Sequence, residues 1–202
     1  VMIALDVDGV VLNLEQRIIE LGEDLFARPM LRLNNRYRFA DRYGLNELEI
    51  EQLWREFDQR GLLGQLKPYA GAIEAIQEMQ SLGMPIAFVT GIGSNWQAAR
   101  DANLRACGLR DFQLFCTGSA FEPKRPVLEA IGAHTFIDDR LRHLHDVQEL
   151  IAHLVWIDLG DEQELDHSEI SAHRYPSLAT WFSCHRQELI ELHQSNRQSR
   201  SE

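Results

Sequence analysis

Five short apolar runs punctuate the chain: Val1–Val7, Pro85–Thr90, Phe112–Thr117, His134–Asp138 and Leu154–Leu159. They are rich in Val, Ile and Phe and do not alternate with polar residues, the pattern of strands covered on both faces in a parallel sheet. Between them, apolar positions recur at helical spacing. Tyr69–Leu82 puts Ile73, Ile76 and Met79 on one face and stops at Gly83, a residue suited to ending a helix. Ser94–Cys107 opens with Ser94 and Gln97 at capping-box spacing and ends at Gly108. Leu141–Ala152 carries Leu141, Leu144, Val147, Leu150 and Ile151 at steps of three and four. Strand and helix in alternation predict an α/β domain, doubly wound and Rossmann-like, around a five-stranded parallel sheet.

The alternation is interrupted once. From about Leu14 to Leu66 the pattern is helical with no convincing strand, clearest over Leu45–Arg60, where Leu48, Leu53, Trp54 and Phe57 are available to pack. Pro29 breaks this stretch, and Gly61 and Gly64 close it. The expected organisation is therefore a core of residues 1–13 and 67–194, a small helical cap of residues 14–66 inserted after the first strand, and a polar tail, 195–202, expected to fray.

A chain of 202 residues, 45% hydrophobic and 25% charged, accommodates one such domain and a modest insertion. The formal charge of -11 disfavours nucleic-acid duplexes and anionic membranes as partners, since both repel an acidic surface. Cys107, Cys116 and Cys184 are odd in number and lack CxxC spacing, which argues against a disulfide framework and a structural zinc site and fits a reducing cytoplasm. No apolar stretch has the length of a membrane span, and the first twelve residues carry Asp6 and Asp8 and no basic leader, so neither an anchor nor a signal peptide is expected.

Polar residues placed on this skeleton gather at one end. Asp6 and Asp8 close the first run, Thr90 and Gly91 the second; Lys124 follows the third, and Asp138 and Asp139 close the fourth. In an open α/β sheet, ligands bind outside the carboxyl ends of the strands. Crowded carboxylates repel one another unless a cation sits among them, and an all-oxygen set suits Mg²⁺. A hydroxyl, backbone N–H groups and an ammonium are what the peripheral oxygens of a phosphoryl group require. A carboxylate can attack phosphorus, and a second one can protonate the leaving oxygen and then activate water. Each motif alone is weak: a DxD at a strand end also arises as a solvated strand end, Thr90 as a β-former, Asp138 as a helix cap and Lys124 as a surface lysine. Their order, each directly after its strand, is the stronger signal.

In that order the motifs Asp6-Val7-Asp8-Gly9-Val10, Thr90, Lys124 and Asp138-Asp139 resemble the signature of the haloacid dehalogenase-like superfamily, particularly its DxD phosphatases. The resemblance implies hydrolysis of a small phosphomonoester, a nucleotide or similar metabolite, with Asp6 as nucleophile, Asp8 as general acid and base, and Thr90 and Lys124 holding phosphate. It also implies Mg²⁺ bound by Asp6, the Asp8 carbonyl and an acid of the last motif, Asp139 directly with Asp138 behind it. The insertion, the phrase LLGQLKPYAGAIEAI and the ending FIDDR are similar to 5'(3')-deoxyribonucleotidase-type members, less specifically. One departure is the short spacing from Lys124 to Asp138, fourteen residues, with room for only a brief helix.

Residues Arg28–Arg42 hold five arginines and one acid, Asp41. They read either as a basic lid whose Arg36 and Arg38 face an anionic substrate, or as a solvated helix face balanced by Glu47, Glu49 and Glu51. His143 and His145, two apart, are poorly spaced for a shared ligand, and no zinc is expected. Trp96, Trp156 and Trp181 read as packing residues, with a pocket border as the alternative for Trp96, which follows the Thr90 loop. Alternative readings are a catalytically silent binding protein, a phosphotransferase, a dehalogenase and a phospho-receiver. The dehalogenase is disfavoured because Asp8 has no role in it. The receiver is disfavoured because the paired acids follow the fourth strand rather than the first.

Overall fold

The computed structural model describes residues 2–198. Its core is one parallel sheet of six strands, β1 (Met2–Leu5), β2 (Ile86–Thr90), β3 (Phe112–Cys116), β4 (Ala133–Asp138), β5 (His153–Ile157) and β6 (Ala172–Tyr175), in the order β3-β2-β1-β4-β5-β6. The five expected strands are present within a few residues, Val1 lying outside the described residues. The sixth corrects the five-strand expectation: β6, sequence AHRY, is a half-exposed edge strand paired only with β5, so it has no apolar run to announce it.

Alternate residues of the central strands point to opposite faces. Ile3, Leu5, Ile86, Phe88 and Ile137 pack on one side with α4 (Ala72–Ser81) and α8 (Leu178–Gln198), through Ile76, Met79, Trp181 and Phe182. Ala4, Val89, Phe136 and Trp156 pack on the other, against Leu128 of α6 (Arg125–Ala130) and Leu141 and Leu144 of α7 (Leu141–His145). The chain leaves β1 for β2 and β3 on one side, then returns to β4 on the other. The carboxyl ends of β1 and β4 thus flank the switch point of the sheet, where neighbouring connections depart in opposite directions and leave a crevice.

Three helical expectations change. Ser94 caps no α-helix: a single 3₁₀ turn, Ser94–Trp96, precedes α5 (Gln97–Ala106), and no side chain caps it. Beyond His145 the regular helix gives way to turns, although Val147 and Ile151 are still buried; the apolar period reports burial rather than an unbroken hydrogen-bond ladder. Leu48 is 77% exposed, whereas Leu53 and Phe57 are buried. Helix α8 continues into the polar segment expected as a tail, of which residues 199–202 lie outside the described residues.

The stretch between β1 and α4 consists of α1 (Leu14–Phe26), α2 (Phe39–Tyr43), α3 (Glu47–Gln59) and a 3₁₀ turn, Leu62–Gln65. Asn46 and Glu49 form a reciprocal capping box at the start of α3. Entry and exit are tied together: Asn13 N donates to Lys67 O at 2.8 Å and Tyr69 N to Val11 O at 2.9 Å. A second tie uses Arg42, 2% exposed, whose guanidinium reaches Glu15 of α1 at 2.8 Å, Asp161 beyond β5 at 2.8 Å and the Arg36 carbonyl at 2.8 Å. Removing one partner of such a pair strands the others. Arg42→Met should therefore lower unfolding free energy by about 3 kcal/mol in urea denaturation, and a loss of only a few tenths would show the cluster to be solvated.

Candidate active site

The loop after β1 is closed by Val11 N and Leu12 N, which both donate to Val7 O at 2.9 and 2.8 Å. Gly9 makes this loop possible: its φ is +88°, and a Cβ there would lie 2.5 Å from Asp139 Oδ2. The loop after β2 meets a similar constraint at Gly91, where a Cβ would lie 2.8 Å from the Ala120 Cα. Both glycines let neighbouring loops close onto the rim of the sheet.

At that rim Asp6, Asp8, Thr90, Gly91, Lys124 and Asp139 all line one cavity of about 560 Å³. Lys124, the N-cap residue of α6, is the hub: its Nζ lies 2.9 Å from Asp6 Oδ1 and 2.8 Å from Asp138 Oδ2. Asp6 Oδ1 also accepts from Val7 N at 2.7 Å, which leaves Oδ2 without a partner among the described residues. The Thr90 hydroxyl is buried and has no hydrogen-bond partner among the described residues, an orphan that a ligand oxygen would satisfy.

Asp138 stands behind this surface. It is fully buried and absent from the cavity wall; its oxygens are held by Lys124, by Arg140 N at 2.8 Å and by His143 Nδ1 at 3.1 Å. Asp138 therefore anchors the lysine and holds the turn at Arg140, but it does not cap α7, whose N-cap residue is Arg140 and which has no side-chain cap. Of the two lid arginines, Arg38 lines the cavity and Arg36 does not. Elsewhere in that segment Arg28 pairs with Glu49 at 2.8 Å and Arg32 with Asp161 at 2.7 Å. Trp96 borders the cavity.

No family model matches the chain, and a search of the curated proteins finds no match. Solved structures do match. A haloacid dehalogenase-like hydrolase from Deinococcus radiodurans R1, with bound phosphate and sodium, superposes with a TM-score of 0.59 at 14% identity, covering 93% of this chain and 96% of that one. A hydrolase of the same kind from Xanthomonas campestris gives 0.58 at 13%, covering 96% and 97%. A dehalogenase gives 0.54 at 15%, covering 91% and 96%. The fold is the haloacid dehalogenase-like fold.

Within this fold the carboxyl-end rim carries a charge problem. Asp6, Asp138 and Asp139 offer oxygens that all lie within 4.8 Å of one another, with Lys124 as the nearest cation. Burial, opposed by Lys124 and reinforced by Asp138, pushes the Asp6 carboxyl up to about 6. Burial and the charges of Asp138 and Asp6 likewise raise Asp139 well above the carboxylate range. Burial acts on Asp138 too, but Lys124 and His143 outweigh it and hold that group below its ordinary value. An all-oxygen set of crowded carboxylates, two of them driven towards protonation, fits a hard divalent cation. Asp6 and Asp139 face the cavity where the cation would bind.

Two neighbours were not legible in the sequence. Arg100 of α5 is fully buried, and its Nη2 lies 2.7 Å from each oxygen of Asp8. His143 bridges Asp138 and the Ala120 carbonyl, 3.1 Å from its Nε2. Neither sits in a motif; each is brought in by the packing of its helix.

A carboxyl raised by folding holds its proton more tightly folded than unfolded, so its ionisation opposes folding. For Asp6 that effect is absent at pH below its ordinary value of 3.8 and fully present above about 6. In EDTA, the Tm of the wild type should fall across this window relative to Asp6→Asn, and Mg²⁺ should raise it more at pH 7 than at pH 5. Equal Mg²⁺ effects at the two pH values would contradict the assigned cause.

Proposed function

We propose that the chain is a Mg²⁺-dependent phosphohydrolase acting on small phosphomonoesters, with Asp6 as nucleophile and Asp8 as general acid and base. The observation that carries this reading is the meeting, on one cavity wall, of the free Asp6 Oδ2, the Asp8 carboxylate, the orphaned Thr90 hydroxyl and the Lys124 ammonium. The phosphate and sodium bound by the Deinococcus radiodurans hydrolase, a structure of the same fold, support it.

Thr90, Gly91 and Lys124 hold the phosphoryl oxygens. Asp6 Oδ2 attacks phosphorus; the bond to the ester oxygen breaks, and Asp8 gives that oxygen its proton. Asp8 then takes a proton from water, whose oxygen attacks the aspartyl-phosphate and releases inorganic phosphate and the Asp6 carboxylate. Asp6, the Asp8 carbonyl and Asp139 would hold Mg²⁺, which when bound supplies the positive charge that the carboxylates and phosphate together lack. Residues 14–66 act as the cap over this site, and the exposed Arg38 of that cap draws the anionic ester in. The three free thiols fit a reducing compartment such as the cytoplasm.

Asp6→Asn should abolish phosphate release from a panel of phosphomonoesters in Mg²⁺, and activity surviving in that variant would place the nucleophile elsewhere. Arg38→Ala should raise KM several-fold while Arg36→Ala leaves it unchanged; the reverse order would reassign the lid contact.

The Arg100–Asp8 pair favours a second reading, phosphoryl binding without turnover, in which Asp8 is held out of action. On the primary reading Arg100 positions Asp8. Arg100→Met should then slow alkyl esters, which need a protonated leaving group, more than nitrophenyl phosphate, which does not. A variant that gains turnover over an inert wild type would establish the second reading instead.

A further inference from the structure

The cavity has two ends of different chemistry. One is the carboxylate and lysine rim described above. The other, over the inserted helices and the loop after β2, is built from Phe39, Ile50, Trp54, Phe57, Leu63 and Trp96. Three of these form an aromatic cluster: Phe39 and Trp54 have ring centroids 6.0 Å apart, and Trp54 meets Phe57 edge-on at 5.5 Å. Trp54 is nevertheless 36% exposed, so part of its indole is left uncovered by its neighbours. A large, half-covered aromatic inside a concave site is a place for a planar apolar group to stack.

The charges of this end leave little to attract an ionic or heavily hydroxylated partner. Arg42 is consumed by Glu15 and Asp161, and Tyr43 donates to the same Glu15 at 2.6 Å. At this end Arg38 and Asp58, both exposed and of opposite sign, have no ion-pair partner among the described residues. A carboxylate or second phosphate on the leaving group would meet Asp58 as well as Arg38, and would have to be desolvated against the aromatic wall between them.

We infer that the leaving group is an uncharged aromatic ring system stacked on Trp54, which makes the substrate class the phosphomonoesters of aryl or aryl-bearing alcohols. This rests on the phosphohydrolase reading and adds the substrate's far end to it. For such an ester, attack by Asp6 breaks the bond between phosphorus and the alcohol oxygen, and the neutral alcohol departs with the proton from Asp8. The ring supplies binding by contact area, while Thr90 and Lys124 supply it by charge.

The test is calorimetric binding of three non-hydrolysable probes to the Mg²⁺-supplemented full chain: phenylphosphonate, methylphosphonate and phosphonoacetate. Phenylphosphonate should bind at least about tenfold more tightly than methylphosphonate, and phosphonoacetate no more tightly than methylphosphonate. Trp54→Ala should erase the phenyl advantage and leave methylphosphonate unchanged, while Trp54→Phe should retain most of it. Because Trp54 is partly exposed on a helix, circular dichroism of the alanine variant checks that it folds. Equal binding of the phenyl and methyl probes, or preference for phosphonoacetate, overturns the inference while leaving the phosphohydrolase reading intact. Failure of all three probes to bind overturns both.

Discussion

The structure turns on the placement of more negative charge than the fold can neutralise. Asp6, Asp138 and Asp139 crowd around one buried ammonium, Lys124, where β1 and β4 diverge. Burial raises the cost of each negative charge, and the lysine offsets only part of it. Much of the local architecture exists to hold this cluster: a glycine at positive φ that lets the first loop reach Asp139, a helix start that delivers Lys124, and His143 and Arg140 N closing Asp138 off from the cavity. Asp138, absent from the cavity wall, thereby helps to fix where the lysine stands, and the lysine together with Val7 N occupies one oxygen of Asp6.

The rim and the inserted helices divide the labour. The rim is polar and rigid because it sits on strand ends. The insertion is tied down at its base by paired entry and exit segments and at its top by Arg42. Several of the arginines of residues 28–42 that look like a basic lid in the sequence are paired with acids, and what the insertion presents to the cavity is mostly apolar, four aromatic rings among it. Net charge along a segment therefore misleads about what a ligand meets: the cations face acids of the same protein.

The strands buried on both faces were legible because their runs are mostly apolar, and Asp6, Asp8, Thr90, Asp138 and Asp139 because they stand at the ends of such runs; Lys124 lies eight residues beyond β3, at the start of α6. Strand β6 was not, since a short edge strand with His173 and Arg174 facing out carries no such run. Arg100 and His143 escaped for a different reason. Each lies on a helix outside the motifs, and its partner is a motif residue: Asp8, far away in sequence, for Arg100, and Asp138, five positions back around a turn, for His143. The Ser94 spacing misled because a capping-box pattern specifies a side-chain exchange that the tight turn after Gly93 does not use.

The claim at the centre is that a divalent cation and a phosphoryl group complete this charge cluster on the Asp6 side of the cavity. Crystals grown with Mg²⁺ and beryllium trifluoride, a mimic of a phosphoryl group on a carboxylate, test it most directly. The account predicts the fluoride adduct on Asp6 Oδ2, within reach of the Thr90 hydroxyl and Lys124, with Mg²⁺ between Asp6 and Asp139. An ordered rim with neither species, or an adduct on a different carboxylate, would contradict it.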